Sequence, residues 1–288
     1  MKKKLISTIL MATMALSLVA CGGNASTDTA SSDGEQASDE AAGDAASSID
    51  SDAASADSDL AYVVEKGTLV VGITDFAPMD YMDESGNWIG FDADLATAFA
   101  ESLGVSVEFV EIDWDNKILE LDGKTVDCIW NGMTLTDEVI SAMECSNAYC
   151  NNAQIVVVPT DMLSDDLDYS SLNYAVEAGS AGEEQAVENG FSYTSVQSQA
   201  DALMEVAAGT SDAAIIDSLM AAAMVGEGTG YENLTYANPL NDEKYGVGFR
   251  KGSDLAATLN DFFASAYADG TMNTIAEKYG VQAAIVEQ

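Results

Sequence analysis

Hydrophobic and polar positions become regular from about residue 61, after a long stretch with almost no large apolar side chain. Short β-branched runs such as 68–74 then predict buried strands. Apolar residues at helical spacing, such as Leu95, Phe99 and Leu103, predict amphipathic helices between those strands. Strands that alternate with helices are typical of an α/β protein.

The pattern before Pro159 predicts strands that alternate with helices and a loop at 76–81. These strands are 68–74, 105–109, 128–130 and 153–158, and the helices are 90–102, 114–123 and one that begins at Thr136. After Pro159 the alternation starts again. The later strands are 172–177, 193–197, 212–217 and 244–250. Five helices are predicted in this part: one begins at Ser180, one begins at Ser198, and three cover 218–225, 254–268 and 272–279.

Two interruptions of this pattern divide the regular region into two α/β lobes. One is the break near Pro159 and the other is the loop at 238–243, and both predict a crossing of the chain between lobes. Lobe 1 is therefore expected at 61–158 and 244–288, and lobe 2 at 159–243. A cleft between the lobes is the expected place for a ligand.

The stretch 128–139 is the most informative part of lobe 1. It is predicted to run as an apolar strand, to turn at Asn131 and Gly132, and to enter a helix through Thr136, whose side chain suits an N-cap. Small polar residues between a strand and a helix are a usual ligand position in α/β proteins. An ordinary strand–turn–helix connection explains the same residues.

The N-terminus carries an export signal. Lys2, Lys3 and Lys4 precede an apolar run that ends at Ala20, too short for a membrane span, which predicts a signal peptide at 1–20. The run is followed by Cys21 in the sequence Leu-Val-Ala-Cys-Gly-Gly, which resembles a bacterial lipobox, so a diacylglycerol anchor on Cys21 is implied. The polar, acidic segment 21–60 is predicted to be a disordered tether.

Composition narrows the possible partners. The chain has 10 Lys and Arg against 49 Asp and Glu, a net charge of -39, which disfavours nucleic acid and favours cationic or zwitterionic ligands. Histidine is absent, and with it the commonest general base and metal ligand. No metal site, cofactor or catalytic residue is predicted. Cys128 is expected to be buried filler, and whether Cys145 and Cys150 form a disulfide is left open.

An ordered set of short motifs between residues 62 and 282 resembles one known family, the extracytoplasmic amino-acid-binding proteins of ABC transporters (family 3 solute-binding proteins). The matching pieces are Gly67–Gly72, Ala77–Pro78, Gly90–Ala96, Trp114–Asn116, Gly123–Asp127, Asn131–Thr136, Ser146–Tyr149, Asp212–Asp217 and Tyr245–Lys251. The resemblance implies a two-lobe periplasmic-binding-protein-like fold of type II. Hinge closure on one small molecule, delivery to an ABC permease in the membrane and a monomeric state are the expected behaviour.

The resemblance also implies a set of ligand-binding residues drawn from both lobes. Aromatic rings would sandwich the ligand, lobe 1 would offer hydrogen bonds, a helix start in lobe 2 would meet a carboxylate, and an acid would pair with an ammonium group. In that order the residues are Phe76 and Trp114; Asn131, Gly132 and Thr134; Gly179, Ser180 and Ala181; and Asp217. Core packing for Trp114, a capping box formed by Ser180 and Glu183, and an N-cap role for Asp217 are the competing interpretations.

One departure from the family pattern leaves the ligand open. The family has an arginine that clamps the ligand carboxylate at the position of Val139, and the single arginine of this chain, Arg250, belongs to another motif. Either the carboxylate rests on the helix start at Ser180, or the ligand is an amine, a modified amino acid or a peptide-like cation. A ligand-sensing lipoprotein and, less favoured, a dehydratase on the same fold are the alternative functions.

Overall fold

Residues 58–288 are the part of the chain that the computed structural model describes, and the structural statements below refer to them. The predicted signal peptide, the lipid on Cys21 and the predicted tether up to residue 57 lie outside this part. Within it, no helix combines the length and the apolar character needed to cross a membrane.

Helices and strands alternate along the described residues, as the hydrophobic pattern predicts. The helices are α1 (Asp59–Lys66), α2 (Phe91–Ser102), α3 (Lys117–Asp122), α4 (Asp137–Ala142), α5 (Ala181–Glu188), α6 (Gln199–Ala208), α7 (Ser218–Met224), α8 (Leu255–Ala268) and α9 (Thr271–Tyr279). The strands are β1 (Thr68–Ile73), β2 (Tyr81–Met82), β3 (Trp88–Ile89), β4 (Ser106–Glu111), β5 (Cys128–Thr134), β6 (Glu144–Cys145), β7 (Cys150–Asn152), β8 (Gln154–Pro159), β9 (Asn173–Glu177), β10 (Ser192–Val196), β11 (Ala213–Asp217), β12 (Leu234–Pro239) and β13 (Glu243–Phe249).

Capping side chains fix the helix starts that the sequence predicts. The hydroxyl of Thr136 accepts a hydrogen bond from the backbone N–H of Val139, and the hydroxyl of Ser198 accepts one from Asp201 at 3.0 Å. These bonds satisfy N–H groups that have no partner inside the helix. The predicted starts of α4 and α6 are therefore confirmed.

The first lobe is built on a mixed sheet with the strand order β4–β1–β5–β13–β6, and β7 also pairs with β13. Strand β1 runs parallel to β4 and β5, whereas β13 runs antiparallel to β5. Aromatic side chains fill the core between this sheet and its helices. The Trp130 ring is fully buried, and its centroid lies 5.6 Å from that of Phe263 and 6.3 Å from that of Phe99.

The second lobe is a five-stranded sheet with the order β10–β9–β11–β8–β12. Every residue of β11 is buried, including Asp217 at its end, because apolar side chains cover both faces of this sheet. A strand that is covered on both faces reads as a continuous apolar run. The carboxyl ends of β9 and β11 place Glu177 and Asp217 at the edge that faces the first lobe.

The predicted α/β architecture with two lobes and two crossings is confirmed, but one predicted lobe boundary is wrong. Strand β8 pairs antiparallel with β11 and β12, so it belongs to the second lobe rather than to the predicted lobe 1 segment 61–158. The outward crossing therefore lies between β7 and β8, and Pro159 ends a strand instead of marking the hinge. An apolar strand fits either sheet, and its pairing partners are not visible in the sequence.

Two local predictions also differ from the structure. Strand β5 continues through Asn131 and Gly132 instead of turning there, and its pairing with β13 is irregular at this point. Helix α1 begins at Asp59, just inside the segment predicted to be disordered. The carboxylate of Asp59 pairs with Arg250 at 3.0 Å, a contact between distant residues that composition does not reveal.

Candidate ligand-binding site

A cavity lies between the two lobes, at the carboxyl ends of strands from both sheets. Polar and charged side chains make up most of its wall. The lining residues are Trp114, Lys117, Asn131, Gly132, Met133, Thr134, Thr136, Glu138, Val139, Glu177, Gly179, Ser180, Ala181, Glu184, Gln199 and Asp217.

The structure brings all but one of the predicted site residues to this cavity. Those that line it are Trp114, Asn131, Gly132, Thr134, Gly179, Ser180, Ala181 and Asp217. Phe76 does not line it. Its ring packs behind Gly132, where an added methyl group would come within 2.4 Å of the ring, and meets Tyr245 edge-on at 6.3 Å. Phe76 therefore supports the wall from behind.

Two lobe 1 residues with predicted ligand contacts are already engaged by the protein. The amide oxygen of Asn131 accepts the N–H of Thr74 at 3.0 Å, and its nitrogen donates to the Thr74 hydroxyl at 2.8 Å. The N–H of Gly132 donates to the carboxylate of Asp92 at 2.7 Å. These bonds hold β5 in place and leave fewer free groups for a ligand than the sequence predicts.

Asp217 is the most heavily supported acid of the cavity. Its side chain accepts hydrogen bonds from Asn152, Gln154 and Gln199 and from the hydroxyl of Tyr245. Burial and the neighbouring Glu243 carboxylate raise the pKa of Asp217 well above its usual value. Asp217 occupies the N-cap position of α7, as the competing interpretation predicts, but its carboxylate accepts no N–H from that helix.

The start of α5 forms the opposite wall. The hydroxyl of Ser180 accepts the N–H of Glu183 at 3.2 Å, and the Glu183 carboxylate accepts the N–H of Gly179 at 2.8 Å, so the predicted cap is present. In the described part of the chain, the N–H groups of Ala181 and Gly182 have no protein acceptor. They are the groups that a helix N-terminus offers to an anion.

Several charged cavity residues were not predicted. Lys117 opens α3 one turn after Trp114, and its ammonium group donates to the carbonyl oxygen of Gly179 at 2.8 Å and to that of Trp114 at 3.3 Å. The same ammonium lies 5.1 Å from the centroid of the Trp114 ring. The signal that could have revealed Lys117 is its position next to the Trp114 motif.

Glu177 is an unpredicted acid at the end of β9. It is 3% exposed, and its Oε1 atom has no hydrogen-bond partner among the described residues. Burial raises the pKa of Glu177 to about 8, although the positive charge of Lys117 opposes the shift. A charged residue at the carboxyl end of a buried strand, two positions before Gly179, was a usable signal.

Direct contacts between the lobes hold the cleft closed. Besides the bond from Lys117 to Gly179, the side-chain amide of Gln197 in lobe 2 donates to Asp113 in lobe 1 at 2.9 Å. Gly179 packs so closely on Asp115 that an added Cβ would lie 2.8 Å from the Asp115 Cα. The two lobes therefore touch each other directly across the cleft.

The part of the chain that the structure describes contains no group of three or more His, Cys, Asp or Glu side chains that could hold a metal ion. Cys128, Cys145 and Cys150 are all free thiols, which answers the open question about Cys145 and Cys150 in this structure. Cys128 is fully buried, in agreement with its predicted packing role.

Comparison with known proteins gives consistent results. The sequence profile of the bacterial extracellular solute-binding proteins, family 3, matches residues 69–282. The L-cystine-binding protein TcyJ of Escherichia coli is 27% identical over 226 residues, which cover 75% of this chain and 84% of that protein.

Solved structures resemble the whole two-lobe region. A substrate-binding protein of an ABC uptake transporter from Streptococcus pneumoniae, with bound histidine, is 28% identical with a TM-score of 0.72 and covers 79% of this chain and 98% of that chain. An ancestral amino-acid-binding protein, described as a precursor of cyclohexadienyl dehydratase, is 31% identical with a TM-score of 0.69 and covers 77% and 99%. These likenesses confirm the predicted type II fold.

Proposed function

The chain belongs to the bacterial extracellular solute-binding proteins, family 3, and we propose that it captures a small solute with an ammonium group between its lobes and passes it to an ABC permease. Asp217 carries this proposal. It is a buried acid at the cavity, held in place by four side-chain donors. A cation that meets it would remove the unfavourable energy of a buried carboxylate without a counter-charge.

The aromatic and acidic character of the cavity supports a cationic or zwitterionic ligand. Trp114 offers a ring face to a cation, and such a contact contributes about 0.5–2 kcal/mol. Glu138, Glu177 and Glu184 add acidic groups to the wall. The related proteins named above bind L-cystine and histidine, which both carry ammonium groups.

Hinge closure is the proposed mode of capture. The bonds from Lys117 to Gly179 and from Gln197 to Asp113 join the lobes only when the cleft is shut. A ligand that bridges Asp217 and the lobe 1 wall would favour the closed form through contacts that the open form lacks. A permease that recognises the closed form would then take up loaded protein.

Membrane anchoring is part of the proposal. The family is extracellular, and the sequence around Cys21 implies lipid attachment there, although Cys21 lies outside the described residues. Two acyl chains anchor a protein stably where one is marginal. We expect Cys21→Ser to release the protein from the cell membrane, and mass spectrometry of the wild-type N-terminus to show the added lipid. A soluble wild-type protein with an unmodified Cys21 would contradict the anchor.

A thermal-shift screen of the purified protein tests the ligand class. A ligand at 100 times its Kd stabilises a protein by roughly 2.7 kcal/mol, which is easily measured. We expect shifts with amino acids or amines and none with citrate or succinate, which lack an ammonium group. Shifts with the dicarboxylates alone would contradict the proposal.

A dehydratase remains the second candidate because of two observations. One structural neighbour is described as the precursor of such an enzyme, and the buried Glu177, with a pKa of about 8, has the protonation behaviour of a general acid. Incubation of each screen hit with the protein, followed by NMR, separates the two functions. We expect the hit to be recovered unchanged.

A further inference from the structure

Lys117 is a buried cation without a counter-ion. The residue is 8% exposed, and its two hydrogen-bond acceptors are neutral carbonyl oxygens. The ion pairs within residues 58–288 involve other bases, namely Lys66, Arg250 and Lys278. An ammonium group has three N–H donors, so one donor and a full positive charge remain for a partner.

A charge in this state is unfavourable unless an anion meets it. Burial lowers the pKa of Lys117, and the surrounding acids Glu138, Glu177, Asp115 and Glu184 oppose that shift from beyond ion-pair distance. Among the residues that line the cavity, Lys117 is the only base. An anionic group of a ligand therefore has one cationic side chain to approach in the described cavity.

Lys117 also lies in the same cavity as Val139, the residue that stands where the family has its carboxylate-binding arginine. Both residues line the lobe 1 side of the cavity, and Val139 is a buried aliphatic side chain that cannot pair with a carboxylate. Lys117 holds the carbonyl of Gly179, two residues before the free N–H group of Ala181. An anion between them would contact a cation from lobe 1 and helix donors from lobe 2 at once.

On the basis of the proposed function, we infer that Lys117 binds the ligand carboxylate in place of the arginine that Val139 replaces, and that it selects amino acids over the matching amines. The ammonium group of the ligand then lies at Asp217 and its carboxylate between Lys117 and the start of α5. Such a site holds opposite charges at two ends of the cavity, which suits a zwitterion.

Matched pairs that differ only in whether they carry α-carboxylate groups test this inference. The pairs are L-histidine with histamine, L-lysine with cadaverine, and L-cystine with cystamine, and calorimetry gives the Kd of each for wild type, Lys117→Met and Lys117→Arg. We expect wild type to prefer the amino acid of a bound pair. Lys117→Met should raise the Kd of the amino acid by at least about tenfold, or 1.4 kcal/mol, and the Kd of the amine by less than about twofold. Lys117→Arg should retain the preference.

The comparison within each pair separates recognition from a structural role. Lys117→Met also removes the hydrogen bond from Lys117 to Gly179 that joins the lobes, but that loss should weaken the binding of the amino acid and of the amine equally. An equal loss for both members, or a wild-type preference for the amine, overturns the role of Lys117 and leaves the proposed function intact. Binding of none of these compounds, while citrate or succinate binds, overturns both.

Discussion

The structure contains two pairs of neighbouring acids whose surroundings differ greatly. Asp217 and Glu243 share donors from the same side-chain amides, and Asp217 lines the cavity. Asp80 and Asp92 form the other pair, and neither oxygen of Asp80 has a hydrogen-bond partner in the described structure. The contrast separates an acid that is held by several donors at the cavity from an acid that has none.

The first pair lies where both crossings between the lobes meet. Its donors come from β5, β7, β8, α6, β13 and the loop before β13, and therefore from both lobes. They are Thr134, Asn152, Gln154, Gln199, Asn241 and Tyr245. A carboxylate with several donors stays in one orientation, which is what a site for an ammonium group requires. This arrangement also links the ligand to the segments that move when the lobes close.

The second pair is almost without donors. Asp92 accepts bonds from the Gly132 N–H and from the Tyr149 hydroxyl, both at 2.7 Å, through one oxygen only. Burial raises the pKa of Asp92 to about 7, and burial together with Asp92 raises the pKa of Asp80 well above its usual value. Burial without donors therefore disfavours the ionised form of Asp80.

The largest expected effect is on ligand binding, from Asp217→Asn. The substitution keeps the shape of the side chain but removes the charge that meets the ammonium group, and it replaces one acceptor oxygen with an NH2 donor that faces other donors. We expect any ligand found in the screen to bind at least roughly 100-fold more weakly, a loss of about 2.7 kcal/mol in calorimetry.

Glu243→Gln is the matched control for that prediction. Glu243 shares donors with Asp217 but does not line the cavity, so its loss of charge should weaken binding by less than about tenfold. Unchanged affinity in Asp217→Asn, or an equal loss in both variants, would remove Asp217 from the ligand site.

The second prediction concerns stability, and its sign is the opposite. Asp80→Asn replaces a fully buried carboxyl group, whose ionised form is unfavourable, with a neutral amide. We therefore expect the free energy of unfolding at pH 8 to rise by roughly 1–3 kcal/mol. Urea denaturation measures it. Asp122→Asn makes the same chemical change at an exposed position and should leave stability nearly unchanged. A destabilised Asp80→Asn would mean that Asp80 is ionised and has a partner that the structure does not show.

The two pairs also show what the sequence could and could not predict. Hydrophobic period and capping residues located most helices and strands, and the motif at 212–217 identified Asp217. The roles of Asp80 and Lys117 depend on which distant residues surround them. Asp80 is unusual because it is buried without donors, and Lys117 because no acid reaches it. Neither property leaves a local pattern.

The prediction of the boundary between the lobes was wrong for a related reason. The apolar run of β8 predicts a strand, but the sheet that it joins is decided by β11 and β12, which come more than 50 residues later. By contrast, the cap at Ser180 was predictable because the partners Ser180 and Glu183 are three residues apart. Local hydrogen bonds are visible in a sequence, and pairing between distant segments is not.

The third prediction is a fall in stability as the pH rises from 5 to 8. Burial raises the folded-state pKa of Asp92 to about 7 and that of Asp80 well above its ordinary value of 3.8, so the folded chain binds more protons than the unfolded chain in this window. The free energy of unfolding is then greatest at pH 5 and falls as the pH rises toward 8. The contribution of Asp92 levels off once the pH has passed its folded-state pKa of about 7.

Each proton held only by the folded chain contributes up to about 1.4 kcal/mol per pH unit. Urea titrations at several pH values give the slope for wild type, and Asp80→Asn should have a shallower one. Asp122→Asn again serves as the control, because removing an exposed charge does not change the slope through burial. A wild-type stability that rises from pH 5 to pH 8 would contradict the raised pKa values of Asp80 and Asp92.

The smallest effect separates the two pairs through their tyrosines. Tyr149→Phe removes one of the two donors of Asp92, and because a bond to an ionised acceptor is stronger than a neutral one, the variant should lose about 1 kcal/mol more stability at pH 8 than at pH 5. Tyr245→Phe removes a hydroxyl from Asp217, which keeps its amide donors, so its loss should depend less on pH. Equal pH dependence in the two variants would show that the number of donors does not distinguish the pairs.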